Sequence, residues 1–260
     1  MSGFDTSVPH IARVYDYWLG GRDNFAADRK LGDQTMRAYP DLALSCRANR
    51  AFLARSVRFL ARDMGIRQFL DIGTGIPTAN NAHEVAQRFA PDSRVAYVDN
   101  DPIVLSHAKA LLKSNPAGAC IYVDADLNDP DTILAGAKQL LDFAAPTGVL
   151  LIAVMHFVED DAKASEIIAR LMEACAPGSY LALSHVASDI DARQTAETVR
   201  RINASGAEKT TLRDRAGFTR LFGGYDLVEP GVVRAAEWRP DSEKEASSPA
   251  AMWAGVARKR

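Results

Sequence analysis

Five short apolar runs alternate with stretches of helical spacing between Ile66 and Ser184, and this alternation narrows the choice of fold more than any other feature of the chain. The runs are Ile66–Asp71, Arg94–Val98, Ala119–Val123, Gly148–Val154 and Tyr180–Ser184. Between them apolar residues recur at helical intervals, first as Ala82, Val85, Ala86 and Phe89, then as Val104, Leu105, Ala108, Leu111 and Leu112. Ile133, Leu134, Ala137 and Leu140 follow, then Ala164, Ile167, Ile168, Leu171 and Met172. Helices between successive strands are the pattern of stacked βαβ units on a parallel sheet. Gly148–Val154 is apolar almost throughout, as a strand covered on both faces requires. Further on, residues 190–205 read as a polar helix, and Thr211 is positioned to cap a short helix through Leu221. Tyr225–Val228 and Met252–Ala257 supply two last strands, split by the Pro- and charge-rich stretch Arg239–Pro249. An edge hairpin there would make one strand antiparallel. The expectation is an α/β fold with a doubly wound, mostly parallel, seven-stranded sheet.

Residues 1–65 precede that sheet and read as helical. Ile11, Val14, Tyr15 and Trp18 share one helix face, and Ala48, Phe52, Leu53, Val57 and Leu60 share another. Neither face can be buried alone. The division expected is a helical cap or lid over residues 1–65 and an α/β domain over 66–260, packed as one structural unit. The cap belongs over the carboxyl ends of the strands, where open α/β sheets bind ligands. The same helices also offer a surface for a homodimer.

Composition removes several classes of function. The 260 residues are 47% apolar, enough for one large core. A formal net charge of -2 gives no basic field for a nucleic acid, and Arg258-Lys259-Arg260 is too short to act as a basic arm. Cys46, Cys120 and Cys175 are odd in number and lack CxxC spacing, against a disulfide framework or a zinc site. Glu159-Asp160-Asp161 opens a helix, where the dipole favours acidic side chains, so no metal is expected there. The first ten residues lack the basic-then-apolar pattern of a secretion signal, and no apolar run is long enough to span a bilayer. A cytoplasmic protein without membrane or nucleic-acid partners is expected.

The chemistry concentrates in Phe69-Leu70-Asp71-Ile72-Gly73-Thr74-Gly75-Ile76-Pro77, a strand running into a glycine turn and a helix. Glycines there let a ligand approach the backbone, and the helix start offers free N–H groups. A dinucleotide fingerprint needs a sixth-position glycine, and Thr78 stands there, which counts against a nicotinamide oxidoreductase. An acidic residue closing the strand before G-x-G resembles class I S-adenosylmethionine-dependent methyltransferases. Val95-Ala-Tyr-Val-Asp99-Asn100-Asp101-Pro102, Tyr122-Val-Asp124-Ala125-Asp126, Val149-Leu-Leu-Ile-Ala-Val154-Met155-His156-Phe157 and Ala176-Pro-Gly-Ser-Tyr180 are similar to the later motifs of that family, in order. Pro77 departs from it where many members have a third glycine; proline suits a first helical turn but removes a donor. At the amino end, Pro9-His10-Ile-Ala-Arg13-Val-Tyr15-Asp16-Tyr17-Trp18-Leu-Gly20-Gly21-Arg22-Asp23-Asn24-Phe25 resembles the signature of a bacterial family of such enzymes once known only as a domain of unknown function. Ala48-Asn49-Arg50-Ala51-Phe52-Leu53 and Tyr225-Asp-Leu-Val-Glu-Pro230-Gly231 resemble it too.

The resemblance implies S-adenosyl-L-methionine as cofactor and S-adenosyl-L-homocysteine as product. It puts Asp71, Gly73, Thr74 and Gly75 at the cofactor, Asp99 on the ribose hydroxyls with Asn100 beside it, Asp124 on the adenine amino group with Ala125 beside it, and Met155 near the methionine moiety. Asp101 reads as a helix cap. Tyr15, Tyr17 and Trp18 form either a core stripe or a lid over the cofactor, hinged at Gly20-Gly21. Of His10, His156 and His185, His156 is the candidate for contact with the acceptor and for proton transfer. Methyl transfer from a sulfonium to O or N of a small molecule is the function expected. A non-catalytic S-adenosylmethionine-binding regulator or sensor is the alternative. The stretch Ala153-Val-Met-His156 lacks the Asn/Asp-Pro-Pro-aromatic motif of exocyclic-amine DNA methylation.

Overall fold

The computed structural model describes residues 5–77, 79–104 and 114–260. Thr78, and the helix expected over Val104–Leu112 beyond its first turn, lie outside the described residues. In chain order the elements are α1 (Ile11–Leu19), α2 (Ala26–Ala38), α3 (Leu42–Arg58) with a π-helical turn Phe59–Asp63, β1 (Gln68–Ile72), α4 (Ala82–Phe89), β2 (Arg94–Asp99), β3 (Ala119–Asp124), α5 (Pro130–Ala137), β4 (Thr147–Ile152) and a 3-10 turn Met155–Phe157. Then come α6 (Asp161–Ala174), β5 (Tyr180–Val186), α7 (Ala192–Ala204), α8 (Arg215–Arg220), β6 (Asp226–Leu227), β7 (Val233–Arg234), a 3-10 turn Ala235–Glu237, α9 (Glu243–Ala246) and β8 (Met252–Arg258).

The sheet runs β3-β2-β1-β4-β5-β8-β6, with β7 also paired to β8. The first five strands are parallel, with Phe69 opposite Val95 and Val149 opposite Leu181. β8 runs antiparallel to β5 and to both short strands. Where seven strands are expected, the described residues form eight. β6 and β7 lie end to end along one edge of β8, parted by Pro230, which has no N–H to give a ladder.

Strand side chains alternate between faces, and each face has its own core. Leu70, Ile72, Val149 and Leu151 pack with Ile133 of α5, Ile168 and Leu171 of α6 and Phe218 of α8. Phe69, Tyr97, Leu150 and Ala182 pack on the other side with Phe52 and Val57 of α3, Val85 of α4, and Trp238. The helix α3 is thus a layer of the sheet domain rather than only part of a cap. The caps are local and readable. Gly20 ends α1 at φ 86°; Asn81 and Glu84 form a capping box on α4; Asp160 caps α6, accepting from Lys163 N. Thr211 does not cap α8. Asp214 does, and Thr211 N instead donates to His156 O at 2.8 Å. Among the described residues no helix is long and apolar enough to cross a membrane.

Candidate active site

A cavity of about 350 Å³ lies at the carboxyl ends of the parallel strands, roofed by α1, α7 and the loop 208–210. Its floor begins at the turn after β1. Gly73 and Gly75 have φ of 71° and 65°, which side-chain-bearing residues adopt only at a cost. A Cβ on Gly73 would stand 2.3 Å from Val154 Cγ2, so the missing side chain lets this turn pack on the end of β4. Among the described residues nothing lies within 4 Å of the corresponding position on Gly75.

Two backbone donors fix the carboxylate of Asp99, at the end of β2. Gly75 N reaches one oxygen at 2.8 Å, and Asp101 N reaches the other at 3.0 Å. Burial raises its pKa against those bonds. Asp71, 6% exposed, accepts no side-chain hydrogen bond among the described residues. Burial pushes its pKa up to about 7, with Arg50 opposing and Asp99 adding to the rise. Asp101 caps the following turn through Ile103 N at 2.8 Å, and its other oxygen stands 3.0 Å from His10 Nδ1. Burial disfavours charge on His10, but the hydrogen bond and charge of Asp101 outweigh it and raise its pKa.

A relay of hydrogen bonds clasps the roof to the sheet. Ala153 N donates to Ser184 Oγ at 3.0 Å, and Ser184 Oγ donates to Asn49 Oδ1 at 2.6 Å. Asn49 Nδ2 donates to Tyr15 OH at 3.1 Å, which donates to Cys46 O at 3.2 Å. On the far side, His156 is buried on the 3-10 turn, with Nδ1 lacking a partner. Its ring stands edge-on to His185 at 5.6 Å. His185 Nε2 lies 2.8 Å from Arg213 Nη1, while Nδ1 lies 2.8 Å from Val186 O. A guanidinium only donates, so Nε2 accepts and Nδ1 carries the proton. Burial holds His185 down to about 4, and burial together with the charges of His185 and Arg213 holds His156 well below its usual range. Both rings are neutral near pH 7. Arg213, 4% exposed, also holds the Met155, Val158 and Glu159 carbonyls, and so fixes the turn that carries His156.

The cavity gathers Tyr15, Asp71, Gly73, Thr74, Gly75, Asp99, Asn100, Ala125 and His156. Four residues expected there are elsewhere. Tyr17 turns away from the lining and donates to Asp33 Oδ1 at 2.7 Å. Gly21 packs under Asp16, where a Cβ would stand 1.9 Å from Oδ1, so it closes the end of α1 instead of touching the cavity. Asp124 is exposed outside the lining, and Asp126, two residues further on, takes its place at the wall. Met155 is 1% exposed in the core, and Val154 and His156 reach the cavity on either side of it. Sequence reasoning assigned no role to Asn49 or Arg50, which a polar pair on an otherwise apolar helix face could have signalled. It also missed Thr198, Glu208 and Thr210, for which the chain carries no motif.

The family described as S-adenosyl methyltransferase matches residues 1–260. The chain belongs to that family. Its methyl donor is S-adenosyl-L-methionine, and membership sets aside the nicotinamide reading. This methyltransferase is similar to a DUF574 family protein of Streptomyces avermitilis, with 44% identity, 98% of this chain and 99% of that chain covered, and a TM-score of 0.95. A Thermobifida fusca structure named for a methyltransferase is 40% identical over 98% of this chain and 97% of its own, with a TM-score of 0.90. A Mycobacterium marinum protein named for S-adenosyl-L-methionine-dependent methyl transfer is 30% identical over 79% of this chain, which spans only 64% of that protein's length. Human N-acetylserotonin methyltransferase, solved with SAM, shares the fold at 18% identity, over 94% of this chain and 62% of its own, with a TM-score of 0.52.

Proposed function

We propose that this methyltransferase moves a methyl group from S-adenosyl-L-methionine to an oxygen or nitrogen of a small molecule held in the cavity. One observation carries the reading. A single cavity runs from Asp99 and the glycine turn to His156, so a donor seated at one end would face an acceptor at the other.

The donor set suits the cofactor. Asp99 keeps acceptor positions beyond the two filled by backbone N–H groups, as two ribose hydroxyls require. Asp71 and Arg50 line the same wall and would take the amino and carboxylate ends of an amino acid. Asp126 offers an acceptor at the end of β3 for the adenine amino group. When bound, the cofactor supplies a methyl group on a sulfonium that any well-aimed lone pair can displace. The chain's part is to hold the two partners in line and keep water out, and orientation of this kind is worth about 7–11 kcal/mol. Tyr15 and Trp18 on α1, with Val199 and Ile202 on α7, close the space above. His156, neutral at pH 7, has an open nitrogen to take a proton from the acceptor.

The test is calorimetric titration with S-adenosylmethionine, S-adenosylhomocysteine and NAD, repeated on Asp99→Ala. Losing charge-assisted bonds worth about 1.5–3 kcal/mol should weaken both sulfur ligands roughly 10- to 150-fold, with no binding of NAD. Folded protein that binds neither sulfur ligand would refute the proposal.

A further inference from the structure

The two ends of the cavity differ in charge. At the ends of β1, β2 and β3 stand Asp71, Asp99 and Asp126, with Arg50. Glu208 and His10 belong to this end as well, since Glu208 feels the charges of His10, Asp99, Asp126 and Asp101. The other end lies over β4, β5 and the start of β8. Its walls are Trp18, Leu42, Val186, Val199, Ile202 and Met252. Lys209, next to Thr210 in the chain, lines the cavity too but is itself exposed to solvent. Asp16, the nearest carboxylate on α1, is committed to Asp23 N at 3.0 Å and Asn24 Nδ2 at 2.8 Å.

Three polar atoms in this apolar space have no partner among the described residues. They are His156 Nδ1, Thr198 Oγ1 and Thr210 Oγ1, and their residues are 6%, 4% and 6% exposed. A threonine within a helix ordinarily satisfies its hydroxyl on a carbonyl one turn back. Thr195 on α7 does so, at 3.2 Å from Asp191 O, whereas Thr198 does not. Thr210 sits beside His156, whose carbonyl accepts from the next residue, Thr211 N. Buried polar atoms ordinarily find partners, so three open ones in one chamber mark where a ligand's polar group belongs. The titratable groups around it are held uncharged. Burial depresses the His156 pKa and raises those of Cys46 and Tyr39, with Asp191 adding to the rise on Tyr39. His156, Cys46 and Tyr39 thus offer a charged acceptor no buried counter-charge, and an unpaired buried charge is strongly disfavoured.

We propose that the methyl acceptor is an uncharged, largely apolar molecule bound under α7 by the hydroxyls of Thr198 and Thr210, and that its own hydroxyl, set against His156, is methylated. This rests on the function proposed above. In the step, an oxygen lone pair forms the new O–CH3 bond and the C–S pair returns to sulfur, leaving a neutral thioether. The hydroxyl proton passes to the open nitrogen of His156 and then to solvent.

Three fluorescent naphthols of nearly equal size test it: 6-(hydroxymethyl)-2-naphthol, 6-hydroxy-2-naphthoate and 6-(aminomethyl)-2-naphthol. Binding is titrated on protein saturated with S-adenosylhomocysteine, whose own binding is measured first. The neutral naphthol should bind at least tenfold tighter than either charged one and yield its methyl ether with S-adenosylmethionine. Thr198→Val combined with Thr210→Val should weaken it tenfold or more, leaving S-adenosylhomocysteine affinity within twofold, while Thr198→Ser retains it. Equal or tighter binding of a charged naphthol, no binding of any of the three, or an indifferent double variant overturns the acceptor proposal alone. Failure of S-adenosylhomocysteine to bind overturns the function beneath it.

Discussion

Asp71→Asn should make the ligand-free protein more stable above neutral pH while impairing its binding of the donor. The carboxyl is buried, and its pKa rises from the ordinary 3.8 to about 7, chiefly through burial. Below about pH 4 both the folded and the unfolded chain hold the proton. Between about 4 and 7 the unfolded chain releases it and the folded one does not, so each pH step lowers stability by up to about 1.4 kcal/mol. Across roughly three such steps the loss approaches about 4 kcal/mol, the opposing charge of Arg50 being already included in the shift. An amide of the same shape has no proton to lose. Urea unfolding of both proteins at intervals from pH 4 to 8.5 reads the effect as a difference. His185 titrates in the opposite sense, its stabilisation being lost as pH falls from about 6.5 toward 4. It is present in both proteins and cancels. Adding S-adenosylmethionine should reverse the ranking, because its amino group would give the carboxylate of the unsubstituted protein a partner. A stability difference that stays flat with pH, or shrinks as pH rises, would refute the reasoning and show that the carboxylate is ionised and paired in the free protein.

Gly73→Ala places a Cβ 2.3 Å from Val154 Cγ2 at a φ of 71°; the left-handed backbone alone costs about 1–2 kcal/mol. Thermal unfolding should show at least that loss, and Val154→Ala in the same chain should recover the steric part. Arg213→Met should cost about 3–5 kcal/mol in urea, as removal of a buried charge from its partners does. The cost comes from orphaned carbonyls more than from the ion pair, since Asp161 is exposed; Asp161→Ala should therefore cost under about 1 kcal/mol.

The parallel strands are legible because each is an apolar run whose neighbouring residues feed opposite cores, Phe69 to one and Leu70 to the other. β7 is not legible, since two residues carry no period. At the site, the glycine turn announces itself because backbone geometry restricts which residues can stand there, and Asp99 through the motif that resembles the family's. The misplaced residues are errors of phase. Tyr17 follows Tyr15 by two positions, about 200° around a helix, so a motif that names both cannot aim both at one cavity. Met155 and His156 are adjacent on a tight turn and point apart, one into the core and the other to the cavity. Which acidic residue after β3 meets the wall depends on where the strand ends, and helix and strand boundaries are blurred in sequence by a residue or two. The acceptor end leaves no signature because apolar side chains and threonines on a polar helix look like any half-buried surface.

The direction of β8 bears on how such an enzyme can diversify. Since it runs against its neighbours, it presents its first residues at the cavity, where Ala251 N donates to Ser45 Oγ at 2.9 Å. Above its strands, the chamber over β4 and β5 is thus walled by separate stretches of chain: α1, the start of α3, α7 with the loop after it, and the lead-in to β8. None of them supplies the glycine turn or the carboxylates at the ends of β1 and β2. Selection can reshape each stretch for a new acceptor without retuning the machinery that handles the donor, so a lineage can change what it methylates while inheriting how.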